Sequence, residues 1–151
     1  MTDAPDPVPN VLSRWGRRQR TILHIGVVYD GGFGIPMFFF PVWSTGLLGL
    51  PQPEVPIWLR LDGIFLIVMA LIYIVTARDP DRYLGNVLVA IFGKIVSVFF
   101  YMSYVLFFEG AIFLAVLALL DAVMCCLHIW AIGPDKGARI RAALEPARAI
   151  D

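Results

Sequence analysis

Residues 111–132 have the sequence AIFLAVLALLDAVMCCLHIWAI, and this apolar run decides the fold class. It is long enough to cross a bilayer as one helix, because the hydrocarbon core requires about 20 predominantly apolar residues. Hydrophobic residues make up 59% of the 151-residue chain, whereas about 45–50% is usual in a soluble domain. The sequence therefore predicts a protein whose solvent is lipid.

Three more apolar segments precede this run, at about residues 21–40, 57–75 and 84–107. The second half of the first segment contains glycines and Pro36, which should bend a helix there. With the run at 111–132, these segments predict an all-α, four-transmembrane-helix bundle spanning residues 21–132.

The connections between the segments contain helix stop and start signals. Asp79 is suited to cap the third span and Pro80 to occupy its first helical position, where a missing amide hydrogen does no harm. Gly133 and Pro134 should end the fourth span. We expect residues 1–20 to form a polar, basic segment without a removable signal peptide, and residues 133–151 to form a basic tail that could lie on the membrane surface as a helix.

The basic residues predict the orientation. Four arginines precede the first span, two lie between the second and third, and four basic residues follow the fourth, which accounts for ten of the 12 in the chain. Short loops rich in Lys and Arg remain in the cytoplasm. Both termini are therefore predicted to be cytoplasmic. The formal net charge is zero, so we expect no nucleic-acid partner.

Three ionisable residues, Asp30, Lys94 and Asp121, fall near the middle of their spans. Charged groups at this depth usually face the bundle interior and find partners there. Gly26, Asp30 and Gly34 recur at every fourth position, which places the acid on a stripe of small residues that a neighbouring helix, such as the one carrying Lys94, can approach closely. We hypothesise that Lys94 bridges Asp30 and Asp121.

Two interpretations of this cluster remain open. The charges could pin the four helices in register, since polar contacts commonly join helices in membranes. They could also form a binding or proton-handling site.

Arg60 and Asp62 form a secondary pair of candidates near the outer end of the second span. Two positions apart on a helix, they point to nearly opposite sides. We expect Arg60 to extend towards the membrane surface or to meet Glu109, and Asp62 to face inward.

His24 and His128 lie on the first and last spans, and a haem held between them is conceivable. Interfacial hydrogen bonding is the simpler explanation. Cys125 and Cys126 lie on the same helix as His128, but this group lacks the second half of a metal site. No metal site, and no cofactor, is predicted.

Several motifs support a resemblance to known proteins. They are Phe33-Gly34, Leu-Leu-Gly-Leu at 47–50, Arg-Leu-Asp-Gly at 60–63, Tyr-Ile-Val-Thr-Ala-Arg-Asp-Pro-Asp-Arg-Tyr at 73–83, Gly93-Lys94 and Asp121. Over residues 20–132 the chain resembles small four-helix bacterial membrane proteins that are DoxX-like in size and layout. The resemblance implies a multi-pass protein of the bacterial inner membrane, and none of its motifs is a catalytic signature.

Three functional hypotheses follow. The first is a non-enzymatic accessory or scaffold subunit that packs against a protein partner or a second copy of itself, because aromatic residues such as Phe99 are abundant. The second is a small-ligand, quinone-binding or proton-linked transport protein that uses Asp30, Lys94 and Asp121. The third is a haem or redox subunit. We lean towards a protein that is not an enzyme.

Overall fold

The computed structural model describes residues 12–107, 112–134, 137, 138, 140 and 141. Within these residues the fold is entirely helical. The elements are α1 (Arg14–Phe39), α2 (Pro41–Leu47), α3 (Ile57–Arg78), α4 (Leu84–Phe107) and α5 (Ile112–Ile132). The all-α prediction is confirmed, and α1, α3, α4 and α5 are each long and apolar enough to span a membrane. The cytoplasmic placement of both termini stays a prediction.

The first helix begins earlier than its apolar residues indicate. The Ser13 side chain accepts a hydrogen bond from the Gly16 amide at 3.0 Å, and this N-cap starts the helix. Residues 14–20 are consequently helical, although the sequence predicts a polar segment before the span. Pro36 lies within the helix. Residues 1–11 of the predicted N-terminal segment lie outside the described residues.

The remaining spans agree closely with the predicted ones. Helix α3 continues to Arg78, α4 has the predicted bounds, and α5 begins at the first described residue after the turn at 108–110, which lies outside the described residues. Helix α2 occupies part of the connection after the first span, with Pro41 at its start. Of the predicted tail helix, residues 137, 138, 140 and 141 are described, and they are helical.

Of the two predicted helix signals, Gly133 acts where it was predicted and Asp79 acts at a different place. Asp79 Oδ1 accepts a hydrogen bond from the Arg82 amide at 3.1 Å, so it caps the turn at 80–83 and not the first turn of α4. Gly133 follows α5 with φ of 83°, and its amide donates to the Trp130 carbonyl at 3.1 Å. This left-handed conformation suits glycine and ends the helix as predicted.

The helices associate in two pairs. Helix α1 packs most extensively on α3 and α4 on α5, the pairs meet through α1 and α5, and α3 makes little contact with α4. A Cβ atom placed on Gly34 would lie 2.9 Å from the Gly63 carbonyl oxygen, and one on Gly63 would lie 2.7 Å from the Phe38 nitrogen. The small-residue stripe of α1 therefore receives α3, and not the helix of Lys94 as the sequence suggested.

The bundle has two unlike halves. We call the half containing the start of α1, the end of α3, the start of α4 and the end of α5 the basic half, and the other the cavity half. All three clusters of buried apolar residues lie in the basic half, and representative members are Trp15, Leu23, Tyr73, Val87, Met124 and Ala131. In α4 the last buried residue is Lys94. The buried face of α4 thus ends at Lys94, whereas α1 and α3 stay in close contact beyond this level, at Gly34 and Gly63.

Polar contacts reinforce the basic half. The Ser13 hydroxyl donates to Asp81 at 2.6 Å, which ties the start of α1 to the turn between α3 and α4. Arg20 donates to the carbonyls of Ala77 and Arg78 at 2.8 and 2.7 Å. These carbonyls belong to the last turn of α3, which has no helical partners for them.

Candidate functional site

The three midspan charges meet at one point of the bundle. Lys94 Nζ lies 3.0 Å from Asp30 Oδ1 and 2.9 Å from Asp121 Oδ1. Their exposed fractions are 7%, 2% and 3% for Lys94, Asp30 and Asp121. Helices α1, α4 and α5 each contribute one charge, in the bridged arrangement that the sequence suggested.

Each helix presents its charge on its buried face. Gly26, Asp30 and Gly34 are all buried on α1, and Asp121 is buried on α5 one turn from Cys125. Lys94 is the last buried residue of α4. Because Gly26 and Gly34 lie against α3 and the buried face of α4 packs on α5, helix packing orients the three charges toward one another.

The Lys94 ammonium is surrounded by partners. It donates a hydrogen bond to Asp30, forms an ion pair with Asp121, and lies 4.5 Å from the centroid of the Tyr29 ring. An ammonium has three donors, so two carboxylates and one aromatic face match its capacity. A cation held over an aromatic ring is attracted by the electron-rich face.

The carboxylates are less completely satisfied than the lysine. The Asp121 Oδ1 atom is buried and, despite its charge contact with Lys94, makes no hydrogen bond of normal geometry to the described residues. The Tyr73 hydroxyl interacts with the Asp30 carboxylate, yet it too makes no hydrogen bond of normal geometry. The Tyr29 hydroxyl interacts with the Asp121 carboxylate in the same way, so each acid of the cluster has a tyrosine beside it as well as Lys94.

A large cavity begins at this cluster and extends through the cavity half. Its volume is about 580 Å³, and residues of all five helices and of the 48–53 connection line it. Ligand sites in proteins commonly enclose roughly 300–1,000 Å³, with mainly apolar walls and a few polar groups. The cavity has this character, since aromatic and aliphatic side chains form most of its walls.

The cavity contains four charged residues, Asp30, Asp62, Lys94 and Asp121. Asp62 is exposed and is one of the residues that line the cavity. Arg60 is exposed and does not line the cavity. Its proposed partner Glu109 lies outside the described residues.

A second buried polar contact lies in the basic half. The Gln19 side-chain amide nitrogen makes a short hydrogen bond with His128 Nδ1, and both residues have an exposed fraction of 0%. Gln19 was not predicted as a buried polar residue, because the first span was predicted to start at residue 21. The signal was its spacing, since Gln19, Leu23 and Gly26 fall on one helix face.

The two histidines are in different environments. His128 is fully buried, whereas His24 is exposed on α1. The structure therefore does not bring them together, and the partner of His128 is Gln19. Cys125 is buried and Cys126 is exposed. In the part of the chain that the structure describes, no group of three or more His, Cys, Asp or Glu residues is arranged to hold a metal ion.

Comparisons with known proteins found no match. No protein-family model matches the chain, and neither a curated protein nor a solved structure matches it significantly. The DoxX-like resemblance stays a prediction, and the function is argued from the site alone.

Proposed function

We propose that this chain is a multi-pass membrane protein that binds a small amphiphilic molecule in the cavity next to Lys94. The observation that carries the proposal is the cavity of about 580 Å³ with a charged floor and apolar walls. An amphiphile would place its polar group near Asp30, Lys94 and Asp121 and its apolar part along the aromatic walls. This is the second of the hypotheses from the sequence.

The surroundings of the charge cluster favour a site over a purely structural contact. A contact that only holds helices together is best surrounded by close packing, since packing drives helix association in lipid. Here the clusters of buried apolar residues lie on one side of the charges and the cavity lies on the other, although α1 and α3 remain in close contact there at Gly34 and Gly63. Beyond Lys94, α4 buries no described residue. The arrangement leaves the charges accessible to a molecule that enters the cavity.

The other sequence hypotheses are less well supported. Exposed aromatic residues such as Phe99 and Phe107, with exposed fractions of 71% and 76%, would suit a protein partner or a second copy, but they suit lipid equally well. The exposure of His24 gives no support to a haem between the two histidines. The accessory and redox roles stay predictions, as does a quinone as the particular ligand.

The predicted topology determines which side of the membrane the cavity half faces. With the basic half in the cytoplasm, as the positive-inside rule requires, the mouth near Asp62 would face the outer side of the membrane. In the bacterial inner membrane that the resemblance implies, the ligand would come from the periplasm or the outer leaflet. This orientation is part of the proposal.

The test is direct binding to the purified protein in non-ionic detergent. Three probes cover the possible charges: tetraphenylphosphonium is cationic, decylubiquinone is neutral and tetraphenylborate is anionic. At least one should bind saturably with one molecule per chain. Ser97→Trp should abolish this binding because Ser97 lines the cavity, and Ser103→Trp on the same helix should not because Ser103 lies outside it.

Two results would contradict the proposal. Failure of all three probes to bind would leave the cavity without a ligand of this class. Equal, undiminished binding to the wild-type, Ser97→Trp and Ser103→Trp proteins would show that the probes partition non-specifically. A colourless preparation with no extractable haem would, independently, remove the redox hypothesis.

A further inference from the structure

The lysine on the cavity floor is poorly placed to attract an anion. Lys94 is held between Asp30 and Asp121 and covered on a third side by the Tyr29 ring. An ammonium has three donors, and each of these partners competes with an incoming ligand. A bound anion would have to displace a carboxylate from the lysine and leave that carboxylate unpaired in a buried position, which is strongly unfavourable.

Negative charge exceeds positive charge along the cavity lining. Lys94 is matched against the carboxylates of Asp30, Asp62 and Asp121. Asp62 forms no ion pair within 4.0 Å among the described residues, and Asp30 and Asp121 share the single cation Lys94. In a site walled by apolar groups these charges are weakly screened, so their attraction for a cation is stronger than at a protein surface.

Aromatic rings supply a second source of attraction for a cation. The cavity walls include Tyr29, Phe33, Trp58, Phe65, Phe100 and Tyr101. Aromatic faces carry negative potential and recognise ammonium-type cations, most strongly where water is excluded. The molecule already contains one example of this contact, since the Lys94 ammonium lies over the Tyr29 ring.

We propose that the ligand of the cavity is an organic cation, meaning an amine, quaternary ammonium or similar group that carries apolar substituents. This inference rests on the proposed function and names its ligand class. The unpaired carboxylate of Asp62, together with the excess of the Asp30 and Asp121 charges over that of Lys94, attracts the positive charge, and the aromatic walls hold the substituents. A small inorganic cation does not fit these walls, because apolar side chains cannot replace its water ligands.

The decisive experiment compares two probes of the same shape and opposite charge. Tetraphenylphosphonium and tetraphenylborate both carry four phenyl groups, so their apolar contacts are closely matched and their charge differs. We expect the cation to bind the purified protein at least about tenfold more tightly than the anion, because the lining is acidic and aromatic. Binding is measured by equilibrium dialysis in non-ionic detergent, with Ser97→Trp protein as the background.

Two pairs of variants test the named contacts. Asp62→Asn should weaken tetraphenylphosphonium binding about tenfold by removing a nearby charge, while Glu54→Gln should not, because Glu54 lies outside the cavity. Phe100→Leu should weaken it about threefold through loss of a ring face, and Phe99→Leu should not, because the neighbouring Phe99 does not line the cavity. Decylubiquinone binding should be unchanged in Asp62→Asn.

The outcomes separate this inference from the proposed function. If the borate or the neutral quinone binds as tightly as the phosphonium, the cavity binds ligands but does not select cations, and the inference is wrong. Equal affinity of wild-type and Asp62→Asn protein for the phosphonium contradicts it as well. If no probe binds, the proposed function fails together with it. The comparison of the phosphonium with the borate is made on the wild-type protein, so it does not depend on whether any variant folds.

Discussion

The basic half and the cavity half of the bundle are built from the same four helices, yet they differ in almost every physical respect. The basic half contains all the described clusters of buried apolar residues and the polar contacts of Gln19, Ser13 and Arg20. The cavity half contains an opening of about 580 Å³ and two helices, α3 and α4, that make little contact. The cluster around Lys94 lies at the boundary.

This difference indicates that the basic half mainly stabilises the bundle and that the cavity half mainly binds the ligand. In lipid, helices associate through packing and interhelical hydrogen bonds and not through exclusion of water. The basic half supplies both, so it can hold the helices together while the other half remains open. The charges at the boundary face packed protein on one side and the cavity on the other. Substitutions in the two halves should therefore have unlike consequences.

The largest effect is expected at the boundary itself. Lys94→Met would leave two buried carboxylates, Asp30 and Asp121, without their shared cation. Removal of one partner of a buried ion pair typically destabilises by about 3–5 kcal/mol. The measurement is the free energy of unfolding by SDS titration in mixed micelles. We expect the triple variant Lys94→Met, Asp30→Asn, Asp121→Asn to recover much of the loss.

A charge-reversed variant extends this test to function. Lys94→Asp combined with Asp121→Lys preserves the kinds of charge and should restore assembly if the cluster only joins helices. If this protein assembles but no longer binds a probe, the cluster takes part in binding. Full binding by the reversed protein would instead support the purely structural interpretation.

Truncation of leucines compares the two halves directly. Leu23 has an exposed fraction of 0% and packs with Tyr73, Ala77 and Ala90, whereas Leu59 lines the cavity. Leu23→Ala should lower the free energy of unfolding by about 2 kcal/mol. This is the lower end of the range for buried leucines, because a leucine that leaves the bundle in a membrane enters lipid and not water. Leu59→Ala should change it by less than about 0.5 kcal/mol, as substitutions away from packed sites do. Similar losses in the two variants would contradict the proposed division.

The sequence was sufficient for the spans and for the position of the charges. Long apolar runs predicted the helices, because a spanning segment must satisfy its backbone internally. The depth of Asp30, Lys94 and Asp121 predicted that they would find one another, since isolated charges are unfavourable in lipid. These inferences depend on composition and helical period alone.

What the sequence could not provide is the difference between the halves. Whether α4 stays in contact with its neighbours beyond Lys94 depends on how four helices splay, and the apolar residues of 95–107 suit lipid and a helix neighbour equally well. The same limit explains the error at Gly34. The sequence suggested that α4 packs there, whereas the structure shows that α3 does. Gln19 was missed because hydropathy does not detect the polar, capped beginning of α1, which starts at Arg14.

Glycine substitutions test the close approach of α1 and α3. A Cβ atom on Gly34 would lie 2.9 Å from the Gly63 carbonyl oxygen and 3.0 Å from the Ile67 nitrogen, and backbone atoms cannot move aside easily. Gly34→Ala should therefore reduce the free energy of unfolding by about 1–3 kcal/mol, as overpacking does. Gly32 is a control on the same helix, because a Cβ there meets nothing within 4 Å. Gly32→Ala should stabilise by about 0.5–1 kcal/mol, and equal losses in both would argue against the packing described.

The smallest effect concerns the histidines. His128→Leu removes the partner of the buried Gln19 side chain, and polar contacts between membrane helices contribute about 0.6 kcal/mol on average and at most about 1.7. We expect a loss of about 1 kcal/mol in the same unfolding assay. His24→Leu should change the free energy by less than about 0.5 kcal/mol, because the side chain is exposed. His128 belongs to the basic half and does not line the cavity. Neither substitution should therefore alter tetraphenylphosphonium binding to folded protein by more than about twofold. A selective loss of binding in His128→Leu would extend the site beyond the Lys94 cluster and remove the boundary between the halves.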